Sequence, residues 1–325
     1  TIKPENLPEE RYTVEFDWVG PVPEVAVLSS QPADSRPKSA EEVKLLNPIG
    51  DDVFTPVVSR GGPGIAVKGT TKQAIENVLQ KYGLTVNAVV PSPCVENGDV
   101  MAGEDFVFVG IGSFIDSKLT DAEVFKQQVA AAYYPNEPKP EIYLIGEKDK
   151  EFENYLLFYH LDLYFNYAGQ TSSGKHLFFC SYIPQPVIDE LYPVKNEEYR
   201  RVKSRQQYLQ TIYEKICALN PNRFEVVQIP MVVDGDRLYG YNNALVETKG
   251  SIANYYMPRY TGITDDYTRL GNSKPVIGLV NKYYLEAYDT IHQHGFNIKP
   301  VDVSVLFNGG INQALHCFVA VLDRG

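Results

Sequence analysis

The chain reads as an α/β protein folded as one continuous unit over residues 1–325, and three observations carry that reading. Short β-branched and aromatic runs alternate with amphipathic stretches from one end to the other, which is the pattern of the α/β class. No Gly/Ser linker and no block of like charge interrupts the alternation to mark a domain boundary. The composition is 44% hydrophobic and 22% charged, enough apolar content for a sizeable core at this length. Its 23 Tyr and 15 Phe suit half-buried sheet positions and a cleft with apolar walls and polar tips.

Taken in order, strand-like runs fall at 24–29, 64–68, 106–110, 141–145, 155–165, 176–183, 224–233, 275–280 and 315–322. A helix is expected over 70–82, with Thr70-Thr71 as its cap and Gly83 as its stop. A second, capped by Thr120, covers 121–133. The stretch 186–219 carries a long charged helix over 196–219, closed by Asn220-Pro221. A further helix over 281–294 stops at Gly295. The loop Ser59-Arg60-Gly61-Gly62-Pro63-Gly64 is a turn by its glycine and proline chemistry. It has neither glycine arrangement that cradles a phosphate.

Several function classes are disfavoured. A net charge of −11 and the lack of a basic stripe argue against a nucleic-acid partner. The same negative field suits a cationic substrate. Cys94, Cys180, Cys217 and Cys317 show no Cys-x-x-Cys spacing, which argues against a disulfide framework or a zinc knuckle. His292 and His294 end a helix without acidic ligands nearby, so no metal is expected there. Nothing approaches the ~18 consecutive apolar residues of a membrane helix. The chain starts at Thr1, which leaves room for a removed N-terminal segment, and it has no Asn-x-Ser/Thr acceptor. A cytoplasmic home is the expectation, and a homo-oligomer is compatible with it.

Three segments carry chemistry. Cys317 lies in Asn308-Gly309-Gly310-Ile311-Asn312-Gln313-Ala314-Leu315-His316-Cys317-Phe318, where a flexible glycine pair leads to a thiol at the mouth of an apolar run. That is a way to present a nucleophile, although an inert core position is the commoner fate of a cysteine. His160-Leu161-Asp162 interrupts the apolar run 155–165. On a strand, residues two apart share a face, and burying this pair is costly unless each side chain finds a partner. Glu96-Asn97-Gly98-Asp99 stands at the entry of a hairpin whose second strand is Phe106-Val107-Phe108-Val109-Gly110. Its carboxylates are expected in a loop facing a cleft, with an Asx-type turn as the simpler reading.

The ordered set of a Glu-x-Gly-Asp before a Phe-Val-Gly strand, a His-x-Asp and a Gly-Gly-…-His-Cys resembles the guanidino-group-modifying superfamily. That group includes arginine, agmatine and peptidylarginine deiminases, dimethylarginine dimethylaminohydrolases and amidinotransferases. Tyr241-Asn242-Asn243-Ala244-Leu245 and Tyr256-Met257-Pro258-Arg259-Tyr260 look like the strand pair of the agmatine deiminase and bacterial peptidylarginine deiminase branch. The resemblance implies a five-bladed, pseudo-fivefold α/β propeller of ββαβ-type units. It also implies a cysteine-nucleophile hydrolase of a guanidine or amidine group, with no cofactor. The substrate would be a small cationic guanidine or an arginyl peptide.

Carried over residue by residue, Cys317 corresponds to the nucleophile and His160 to the general acid/base. Asp162 and Glu96 correspond to carboxylates that hold the guanidinium and orient the histidine, and Asp99, at the acidic end of its motif, to structural support at the substrate-binding site. Asn97 stands where the family usually has glycine. The clamp acid usually found after an arginine is replaced by Gly61 after Arg60, so Asp51 or Asp52 would have to supply it. Asn242, Arg60 and Arg259 are candidate substrate contacts. The same residues would serve an amidinotransferase, and the missing acid is what an inactive binding protein on this scaffold would also show.

Overall fold

The structure is a computed structural model in which residues 95, 97–103, 105–133, 139–147, 160–249, 252–261 and 273–303 are described. The backbones of the strands at 13–17, 25–29, 44–46, 54–57, 64–67, 87–89 and 319–321 are described with them. The class is α/β. The described strands fall into five small sheets that follow one another along the chain, the number a five-bladed α/β propeller requires. The first holds β1 (Thr13–Asp17), β2 (Val25–Ser29), β3 (Lys44–Leu46) and, from the other end of the chain, β17 (Val319–Val321). The second holds β4 (Phe54–Val57), β5 (Gly64–Val67) and β6 (Asn87–Val89), and the third β7 (Val100–Ala102), β8 (Phe106–Gly110) and β9 (Glu141–Ile145). In the fourth are β10 (Phe165–Gln170), β11 (His176–Tyr182), β12 (Phe224–Asp234) and β13 (Arg237–Gly240). The fifth comprises β14 (Leu245–Lys249), β15 (Ile252–Arg259) and β16 (Asn297–Asp302).

One unit recurs in the last four sheets. An antiparallel hairpin is followed by a longer connection and a third strand that pairs parallel to the second: β5 with β6, β8 with β9, β11 with β12 and β15 with β16. A parallel neighbour needs such a crossover. The helices described in those crossovers are α1 (Ile111–Asp116) and α2 (Ala122–Tyr133), then α3 (Gln185–Leu191) and α4 (Glu197–Leu219), then α5 (Ser273–Gln293). The first sheet departs from this unit. Its β17 runs antiparallel to β3, so the two ends of the chain share one sheet.

Local chemistry explains the helices. Asn196 caps α4 by accepting the Tyr199 N–H at 3.0 Å, and Glu197 and Glu198 complement the helix dipole in the first turn. Val202, Arg205, Leu209, Ile212 and Ile216 recur at helical spacing and form its buried stripe. Asp121, rather than Thr120, caps α2, accepting from the Glu123 and Val124 amides at 2.8 and 3.2 Å. The run at 275–280, expected as a strand, belongs to α5. Over its length Val276, Val280, Tyr283, Tyr284, Ala287 and Ile291 are buried at the helical period. Six residues are too few to show that period, and a proline in the first turn is compatible with a helix. The helix expected at 70–82 lies outside the described residues.

A ring-packed core ties the third sheet to the fourth. Phe165 stacks on Phe178 at 4.9 Å, and Phe106 and Phe108 pack on Phe178 and Phe224 with centroids 5.2–5.6 Å apart. At its edge Arg223 bridges Asp105 and Glu141, with its guanidinium 5.0 Å from the Phe224 ring. His176 sits buried there between the Tyr167 hydroxyl and the Asp105 carboxylate. This fixed seam holds β7 and β8 against the segment that enters β10, which is where the candidate site lies.

Candidate functional site

Two of the motif segments meet. A 3-10 turn at Asn97–Asp99 packs beside another at Leu161–Leu163, bringing Asp99 to the residues around His160. His160 is 2% exposed, Asp99 2% and Asp162 0%. His160 has extended backbone, φ −118° and ψ 151°, and stands immediately ahead of the turn that holds Asp162. The strand expected over 155–165 therefore does not form at 160–163, and β10 begins only at Phe165. Residues 155–159 lie outside the described residues. The same-face argument for His160 and Asp162 falls with the strand, because a 3-10 turn rotates by about 120° per residue.

Asp99 is buried rather than displayed to a cleft, and its carboxylate turns away from its own loop. Oδ2 accepts from the Ser113 amide at 2.8 Å and the Ser113 hydroxyl at 2.7 Å, and Oδ1 accepts from the Leu161 amide at 3.1 Å. Burial pushes the carboxyl up from its ordinary 3.8 to about 6, opposed by the charge of His160 and by the Ser113 and Leu161 hydrogen bonds. Gly110 makes room for it: a Cβ there would stand 2.1 Å from Asp99 Oδ1. Near the same carboxylate lie Tyr164 and Tyr208, whose hydroxyls are 3.2 Å apart. Burial raises Tyr164 well above the usual phenol range and Tyr208 to about 12, and Asp99 adds to both.

The turn between β13 and β14 closes on the same region. Asn243 Nδ2 donates to the Asp162 carbonyl at 3.1 Å, and Asn166 Nδ2 donates to the Ala244 carbonyl at 3.0 Å. The Ser181 hydroxyl donates to Asn242 Oδ1 at 2.8 Å, and Asn242 Nδ2 is buried with no hydrogen-bond partner among the described residues. The paired strands expected after this turn are present, with Leu245 opposite Tyr256. Arg259, at the end of β15, is half-buried with its guanidinium 5.6 Å from the Tyr284 ring.

Of the sequence candidates, the structure thus brings Asp99, His160 and Asp162 together with the Asn242–Asn243 turn. Cys317, Glu96, Asp51, Asp52 and Arg60 lie outside the described residues. Cys317 stands two positions ahead of β17 in the sequence. Ser113 took no part in the sequence argument, and Gly110 and Asn243 entered it only as members of a strand and a motif, with no role of their own; the Gly110-Ile111-Gly112-Ser113 run after a buried strand is the one signal that could have pointed to Ser113. Among the described residues no cluster of three or more His, Cys, Asp or Glu side chains could hold a metal ion. No helix among them is long and apolar enough to cross a membrane.

No protein-family model matches the chain, and no curated protein sequence does. Among solved structures it is similar to a DDAH from Pseudomonas aeruginosa in complex with citrulline, at 13% identity and a TM-score of 0.39 over 83% of this chain and 74% of that one. A dimethylarginine dimethylaminohydrolase adduct with S-methyl-L-thiocitrulline shows 14% identity and a TM-score of 0.37 over 83% and 74% of the two chains. SxtG, an amidinotransferase from Microseira wollei, shows 12% identity and a TM-score of 0.38 over 84% and 67%.

Proposed function

We propose that this protein is a guanidine-modifying enzyme with Cys317 as nucleophile and His160 as general acid/base, acting as a deiminase-type hydrolase. The observation that carries the reading is the meeting of two motifs 62 residues apart: the acid of Glu96-Asn97-Gly98-Asp99 holds the amide that follows His160. A histidine this deeply buried, backed by a carboxylate and followed by a second buried acid, is arranged for proton transfer rather than for solvation. The order of Glu96, His160, Asp162 and Cys317 along the chain supports the same chemistry.

In this reading Asp162 and Glu96 hold the delocalised cation through charge-assisted hydrogen bonds, with Asp51 or Asp52 as the further clamp. The bound cation favours the Cys317 thiolate, which attacks the guanidinium carbon. The carbon–nitrogen bond of the leaving group breaks as His160 donates its proton, releasing ammonia or an amine and leaving an S-alkylthiouronium. Water, losing a proton to His160, adds to that carbon and expels the thiolate, giving the ureido product. Asn242 offers its Nδ2 as a donor to the bound substrate, and Arg259 and Arg60 are candidate partners for a substrate carboxylate. Placement in the agmatine deiminase and bacterial peptidylarginine deiminase branch rests on the 241–245 and 256–260 motifs.

The test is release of ammonia or a ureido product from arginine, agmatine, methylated arginines and an arginyl peptide. Turnover by the wild type with complete loss in Cys317→Ala is expected. Turnover that survives Cys317→Ala, or selective transfer to an added amine such as glycine, overturns the hydrolase mechanism.

A further inference from the structure

Asp99 is a buried acid with three fixed donors, and the proposed reaction gives it no proton to move and no substrate atom to touch. Its three partners come from two places. Ser113, at the start of the crossover after β8, supplies an amide and a hydroxyl to Oδ2, and the peptide between His160 and Leu161 supplies the third donor to Oδ1. One carboxylate therefore joins the 97–99 turn, the first turn of α1 and the backbone at the candidate acid/base. Gly110 is the residue that lets it fit.

We infer that Ser113 and Asp99 are positioning residues for His160. Ser113 holds Asp99 as a carboxylate, and Asp99 fixes the His160 backbone and favours the protonated imidazole. The inference rests on the reading of His160 as the acid/base. The Ser113 hydroxyl is what separates this arrangement from a plain backbone tether. Two amides would suffice to anchor the loop, whereas a third, short hydroxyl bond favours the charged form of a carboxyl that burial works to neutralise. Among the described residues, the other titratable groups facing Asp99 are the Tyr164 and Tyr208 phenols, which stay neutral across the working range.

The measurement is the titration of the His160 imidazole by NMR on the full chain. It is one of five histidines and is assigned by the signal lost in His160→Gln. Asp99→Asn is expected to lower its midpoint by about one pH unit. Ser113→Ala lowers it in the same direction by less, and Ser113→Thr, which keeps the hydroxyl, restores it. Where turnover is present, the limb of the kcat/KM pH profile that reports His160 moves with the NMR midpoint, and KM changes little. An unchanged midpoint in folded Ser113→Ala overturns the inference, and so does an unchanged midpoint in Asp99→Asn. Should Asp99→Asn fail to fold, the Ser113 pair decides alone. A wild type inactive on every guanidine defeats the functional reading but leaves the titration a valid test of this linkage, so the two failures are told apart.

Discussion

Replacing Asp99 by asparagine makes a prediction whose sign and size both follow from burial. The carboxyl is raised from 3.8 to about 6, so the folded state holds its proton over a range where the unfolded chain has released it. Stability contributed by the protonated group is fully present below about pH 4 and is lost as pH rises to about 6, after which nothing further changes. At about 1.4 kcal/mol per pH unit, the loss across that window is about 3 kcal/mol. Asparagine has no such titration. It also has a fixed defect: its amide presents a second donor either to the Leu161 or to the Ser113 N–H, which leaves a buried donor unmet at about 1–3 kcal/mol.

Asp99→Asn should therefore be about 1–3 kcal/mol less stable than wild type near pH 4, and equal to it or more stable by up to about 2 kcal/mol at pH 7. Urea unfolding of both proteins at half-unit steps gives the difference directly, and titrations common to both cancel. Repeating the pair in a His160→Gln background removes the cation that pulls Asp99 down, so the window should extend to higher pH. A difference that stays flat, or that grows as pH rises, refutes the argument that desolvation dominates this carboxyl.

Other substitutions test the surroundings. Gly110→Ala puts a Cβ 2.1 Å from Asp99 Oδ1, and its expected cost in urea unfolding is about 1–3 kcal/mol with loss of turnover, although Gly110 has an ordinary negative φ. Asn196→Ala removes the cap of α4 and should cost about 1 kcal/mol by thermal melting with turnover unchanged. Arg223→Met removes the bridge to Asp105 and Glu141, where both carboxylates are exposed, and the contact over Phe224. The expected cost is about 1 kcal/mol, mostly insensitive to salt because the ring contact outweighs the screened ion pairs. Asn242→Leu combined with Ser181→Ala removes a buried amide, whose Nδ2 has no partner among the described residues, together with the hydroxyl it accepts from, so stability should change by less than about 1 kcal/mol. A raised KM in that double variant would mark Asn242 as a substrate contact.

The alternation of strands and helices was legible because each element carries its own period and punctuation. The charged helix with Asn196 before it and Asn220-Pro221 after it shows its limits in the sequence, and so does the hairpin before Phe106. Misreadings came where the window was short or the partner distant. Residues 275–280 are apolar in either conformation, and only the continuation to Ile291 reveals the helix. Ser113 lies 14 residues from Asp99, on the far side of a hairpin, and Leu161 lies 62 away. No local pattern marks contacts that exist only once the chain has doubled back.

The turn at 161–163 also redistributes the roles of the acids. On a strand, Asp162 would lie beside His160 and would be its natural orienting partner. In a 3-10 turn two residues differ by about 240° in direction, so His160, still extended, and Asp162, within the turn, need not share a face. The carboxylate held against the His160 backbone is Asp99, reached across sequence rather than along it. Within the proposed chemistry this divides the work. One acid, held by three protein donors, serves the histidine, and Asp162 takes the guanidinium as proposed. A short motif therefore places the residues but not their pairing, since the pairing depends on a turn that its apolar neighbours disguise as strand.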